Sequence, residues 1–81
     1  MMKNKPANGL SQKATIVLKA LIRYAESDYG GDGWWSVPIA NVSAHVKNGG
    51  MSGHEFAGYL SALTAAGLYR EIEPGWGEVK K

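Results

Sequence analysis

The stretch SGHEFAGYLSALTAAGLYREIEPGWGEVKK (residues 52–81) decides how this chain folds. Ser52-Gly53-His54-Glu55 has the spacing of a capping box. A serine hydroxyl accepts from the backbone N–H three residues on, and the glutamate there reaches back to the serine N–H. Phe56, Tyr59, Leu60 and Leu63 then recur at helical spacing and form one apolar stripe. Gly67 follows the last periodic turn, where a left-handed residue ends many helices. Leu68-Tyr69-Arg70-Glu71-Ile72-Glu73 is predicted to be extended, Pro74-Gly75-Trp76-Gly77 to turn, and Glu78-Val79-Lys80-Lys81 to return as a second strand. That four-residue loop sets Ile72 opposite Val79, Glu71 opposite Lys80 and Glu73 opposite Glu78.

Upstream, Ser11 is a good N-cap residue. Ala14, Val17, Leu18, Leu21, Tyr24 and Ala25 hold an apolar helical stripe, with Gln12, Thr15, Lys19, Arg23 and Glu26 opposite. A first helix is predicted from residue 11 to about 27. Three glycines among residues 28–33 exclude regular structure there. Trp34-Trp35-Ser36-Val37 suits a short strand that buries one tryptophan and exposes the other. Pro38 fits the start of a second helix with Ile39, Val42 and Val46 inward, ending over Lys47-Asn48-Gly49-Gly50-Met51.

An 81-residue chain is one small domain, and its net charge of +2 permits an anionic partner without demonstrating one. Cysteine is absent, which excludes disulfides and thiolate metal sites. No apolar run approaches the roughly 20 residues of a membrane span, and residues 1–9 lack the apolar centre of a signal peptide. The expectation is a cytoplasmic protein with residues 1–10 as a flexible N-terminal arm and residues 11–81 as the folded domain.

The order helix, strand, helix, turn, helix, hairpin resembles the winged helix-turn-helix superfamily. The residues that carry the resemblance are the short helix from Pro38, the turn from Lys47 to Met51, the helix opened by Ser52, and the series Leu60, Leu63, Gly67 and Leu68. It implies a mainly α fold of three helices plus a β-hairpin wing. Residues 38–46 become the supporting helix, 52–66 the recognition helix and 69–81 the wing, with His54, Ala57, Gly58 and Ser61 facing a DNA groove. The function implied is that of a small DNA-binding regulator acting as a dimer.

The recognition helix itself carries no Lys or Arg. Base edges are read best by Arg, Lys, Asn and Gln. The DNA contacts predicted are therefore Ser52, His54 and Ser61 near the groove, with Lys47, Asn48, Lys80 and Lys81 on phosphates. Lys3 and Lys5 sit on an arm able to follow a minor groove. The alternative is a winged helix that docks on another protein, as a small accessory or inhibitor protein of phage or plasmid type would. Its contact surface is Gly58, Ser61, Ala62 and Trp76. A glycine in mid-helix costs about 1 kcal/mol relative to alanine, and close approach of another backbone at Gly58 would offset that. Ala62 and Ala66 are expected to pack on the first helix.

Enzymatic readings fall away. The series Asp28, Gly30, Asp32, Gly33 begins like a calcium loop, but Ile39 stands where the bidentate glutamate belongs. His45 and His54 make a poor metal pair. Ser52, His54 and Glu55 are accounted for by the capping box, and no Walker or Rossmann glycine motif is present. No catalytic residue, cofactor, metal or small-molecule substrate is expected.

Overall fold

Ser11 opens the first helix: its Oγ accepts from the Ala14 N–H at 3.1 Å. In the computed structural model, which describes residues 11–26 and 32–80, this helix is α1, Gln12–Tyr24. It ends three residues before the predicted limit at 27, because Ala25 turns extended (φ −65°, ψ 133°). The Glu26 N–H then donates to the Ser36 carbonyl at 2.8 Å, which ties the chain after α1 to the first strand. The arm with Lys3 and Lys5, residues 27–31 of the glycine loop, and Lys81 lie outside the described residues.

The first strand, β1, is Trp34–Pro38. Pro38 caps α2, Ile39–Asn48, and Val42 and Val46 are its buried residues. Gly50, at φ +98°, turns the chain toward α3, Gly53–Ala65. The capping box closes as predicted, with Ser52 Oγ accepting from the Glu55 N–H at 3.1 Å and Glu55 Oε1 accepting from the Ser52 N–H at 3.0 Å. At the far end Gly67 takes φ +78°. The Gly67 N–H donates to Thr64 O, and the Leu68 N–H to Leu63 O, each at 3.0 Å. This double closure is a Schellman motif, which satisfies the last carbonyls and turns the chain into a strand.

Strands β2, Tyr69–Glu73, and β3, Trp76–Lys80, form the hairpin. The fold is more β-rich than a hairpin on helices: β1 also pairs antiparallel with β3, giving a three-stranded sheet in the order β1-β3-β2. The predicted register is corrected. Pro74-Gly75 alone makes the turn, with Gly75 at φ +87°, the Pro-Gly order of a type II turn. Ile72 is left over as a bulge, so the pairs are Glu73–Trp76, Glu71–Gly77, Arg70–Glu78 and Tyr69–Val79. The expected pairs Ile72–Val79, Glu71–Lys80 and Glu73–Glu78 do not form. Two like charges directly opposite would be unfavourable; the observed register gives Glu78 to Arg70 instead, with Nε to Oε1 at 2.6 Å.

The core lies where α1, α2 and α3 meet the inner face of the sheet. Leu21, Leu63, Val17, Val37, Val42 and Val79 are its fully buried members. Each such side chain contributes about 1.5–3 kcal/mol of burial. Phe56 and Tyr69 complete it, and Tyr59, Leu60 and Trp35 pack around it half-buried. Both tryptophans of β1 are half-buried rather than one in and one out, because Trp35 packs against the core while the Arg70 and Lys80 side chains lie over Trp34. The expectation that Ala62 and Ala66 pack on α1 is also corrected: both are exposed, because Phe56 and Leu63 face inward and turn that side of α3 out. The hairpin tip is tied down as well, since the Ile39 N–H donates to Gly75 O at 3.0 Å.

Candidate nucleic-acid interface and the groove beside it

The start of α3 gathers the strongest concentration of predicted contact residues. Helix geometry leaves the first N–H groups without intrahelical acceptors, and this end carries partial positive charge. The capping box satisfies two donors, those of Ser52 and Glu55. Gly53 and His54 follow the cap on the exposed first turn. Lys47 reaches across from α2: its Cε and Nζ lie 3.5 and 3.7 Å from where a Cβ on Gly53 would stand. Its ammonium therefore sits over the first turn of α3, close to exposed Asn48. Lys13 of α1 approaches from the other side, with Nζ 3.4 Å from Glu55 Oε2. The Ser52 N–H, and then Lys13, hold the Glu55 carboxyl below its ordinary value, so it stays ionised and the cap stays closed into acid.

Further along α3 the exposed surface is small and uncharged: Ala57, Gly58, Ser61, Ala62, Thr64 and Ala65. A Cβ on Gly58 would meet nothing within 4 Å, so among the described residues no other segment approaches it closely. Ala57, Ser61 and Thr64 form one wall of a groove of about 390 Å³ between α3 and the hairpin, with Tyr69, Glu71 and Gly75 across from them. Among the described residues, the ionisable side chains on its walls are Glu71 and Tyr69, with no cation. Burial, aided by the Glu71 carboxylate, pushes the Tyr69 phenol up to about 12, so it stays a neutral hydroxyl.

The wing cations lie elsewhere. The Arg70 guanidinium stands 4.2 Å from the Trp34 ring centroid and the Lys80 ammonium 5.1 Å from it. Lys80 Nζ also donates to the Asp32 carbonyl at 3.0 Å. Lys80, a predicted phosphate contact, is thus held at the Trp34 end of the sheet and does not line the groove beside α3. Trp76 lies in β3 rather than at the hairpin tip, and is 37% exposed. It shares a hollow with Ser36, Ile72 and Glu73. The structure therefore brings Lys47, Asn48, Ser52 and His54 together, keeps Gly58, Ser61 and Ala62 on one exposed face, and sets Trp76 apart from both.

Sequence reasoning missed Glu71 as a groove wall, Trp34 as the seat of two cations, and the reach of Lys47 over Gly53. Only the first had a local signal: Tyr69 and Glu71 are two residues apart in a strand and so share a face. No family model, no curated protein and no solved structure matches the chain. Among the described residues, no group of His, Asp or Glu is placed to hold a metal ion, and no helix is long and apolar enough to cross a membrane.

Proposed function

We propose that this chain is a winged helix-turn-helix domain that binds double-stranded DNA through the α2–α3 turn and the first turn of α3, and works as a small regulator. The order α1-β1-α2-α3-β2-β3 with sheet order β1-β3-β2 supports the fold assignment. The observation that carries the function is the exposed start of α3, with Lys47 laid over Gly53 and His54 and Asn48 beside it. Helix-turn-helix domains present the N-terminal residues of the recognition helix to base edges. The small side chains at Ala57, Gly58 and Ser61 leave room for α3 to enter the major groove. Affinity rests mainly on phosphate contacts, so binding is salt-sensitive and tolerant of sequence.

Fluorescence anisotropy with a mixed-sequence duplex at two salt concentrations tests this reading. Binding at low salt that weakens steeply with added salt is the expected result. Lys47→Glu lowers affinity about tenfold or more, on the scale of losing one charge-assisted contact and gaining a repulsion. A chain that binds no duplex even at low salt defeats the reading.

One observation favours a second reading. Among the described residues the groove between α3 and the hairpin carries Glu71 and no cation, which suits a protein partner better than a phosphate backbone. Gly58, Ser61 and Ala62 are the contact surface in that reading. Gly58→Arg separates the two: it blocks a close-packed protein partner, and it leaves DNA affinity equal or higher.

A further inference from the structure

We propose that copies of this chain associate head to tail, the acidic hairpin of one copy docking on the basic α1–α2 face of the next. The large hydrophobic side chains exposed among the described residues are Ile16, Ile72 and Trp76. Ile16, half exposed, lies on α1 between Lys13 and Lys19, three residues away on either side. Residues three apart are neighbours on a helix surface, so this apolar side chain is flanked by two ammonium groups, of which that of Lys13 also pairs with Glu55 at 3.4 Å and that of Lys19 has no ion pair among the described residues. It borders a hollow of about 190 Å³ that Val46, Met51, His45 and Lys13 also line. Helices α1 and α2 contain Lys13, Lys19, Arg23 and Lys47, and neither contains an Asp or Glu.

The other patch has the opposite charge. Ile72, 53% exposed, stands at the bulge beside Glu73, where the register shifts, while Glu71 turns to the groove beside α3. Trp76 and Glu73 share its hollow. The nearby cation, Arg70, is taken up by Glu78 and Trp34.

An apolar side chain between Lys13 and Lys19 on one surface thus complements apolar side chains beside Glu73 on the other. The two hollows share no residue. An isologous dimer through either patch would set like charges against each other, whereas the mixed contact pairs them. Each docking event also leaves one patch of each kind free, and a heterologous contact that does not close produces an open chain of copies.

Sedimentation equilibrium of the protein without nucleic acid reads this directly, and independently of any DNA binding. The weight-average mass of the unmodified chain rises with concentration past that of a dimer at low salt, and the rise shrinks as salt screens the charged flanks. Ile16→Glu removes the acceptor patch and Ile72→Lys the donor patch, so each variant alone stays at monomer mass. Mixed in equal amounts they pair through the one intact patch on each, reach twice the monomer mass and stop there. Should circular dichroism show either variant unfolded, Lys19→Glu and Glu73→Lys take their places with the same expected outcomes. An unmodified chain that stays monomeric up to millimolar concentration overturns the proposal, as does growth that halts at a dimer, or a mixture of the two variants that remains monomeric.

Discussion

Two glycines, one under the hairpin and one on α3, use the absence of a side chain in opposite ways. On the inner face of the sheet, a Cβ on Gly77 would overlap the buried Tyr69 ring. The glycine is what lets that ring lie across the strand. On the outer face of α3, Gly58 opens onto solvent, and a Cβ there would touch nothing within 4 Å. The first glycine is explained by the fold of its own chain. The second lowers helix stability relative to alanine, and no contact among the described residues offsets that cost.

The largest effect is expected on the hairpin side. Gly77→Ala forces a methyl group into the space of the Tyr69 ring, and overpacking of that kind costs about 1–3 kcal/mol. Chemical denaturation would show it, and an unchanged midpoint would mean the Tyr69 ring is not held where the structure puts it. Its phenol offers a second check. A phenol is neutral when protonated, so a value raised from 10.0 to about 12 means the folded chain keeps this proton more tightly than the unfolded chain. That contribution to stability is complete below pH 10 and is lost as pH rises toward about 12. Phenolate absorbance in an alkaline titration should therefore resolve one late-ionising tyrosine, and none if Tyr69 is solvated.

On the α3 side the effects shrink and then change sign. Ser52→Ala removes one half of the capping box and should lower stability by about 1 kcal/mol in thermal or urea unfolding. Gly58→Ala should raise stability by about 0.5–1 kcal/mol, since alanine is the better helix former and meets no obstacle. A loss at Gly58 would erase the contrast with Gly77 and place an unseen intramolecular contact on that face.

The legible parts of this chain were those whose partners are close in sequence. The Ser11 and Ser52 caps, the stop at Gly67 and the apolar stripes of three helices each depend on neighbours within a few residues. The hairpin register did not yield to the same reasoning. Whether Pro74-Gly75 or Pro74 through Gly77 forms the turn goes with the register that pairs Tyr69 with Val79 and lays its ring diagonally over Gly77, and with the bulge at Ile72. Cross-strand packing of that sort leaves no periodic trace. Ala62 and Ala66 were misplaced for a related reason: small side chains fit equally on a packed face or a bare one, and the larger stripe from Phe56 to Leu63 decides which they occupy. At the candidate site, exposed Lys47 and His54 could be placed from their position before and within α3. The capture of Arg70 and Lys80 by Trp34 could not, since it joins two segments distant in the chain.

The bond from the Glu26 N–H to the Ser36 carbonyl has an effect on aggregation. It covers part of the open side of β1, one of the two outermost strands. The other outermost strand, β2, is bulged at Ile72 and carries Arg70, Glu71 and Glu73. Irregularity and charge of this kind discourage an incoming strand from extending a sheet. Fibril growth by backbone pairing is therefore opposed at both margins, so any association of copies proceeds through side-chain surfaces rather than by sheet extension.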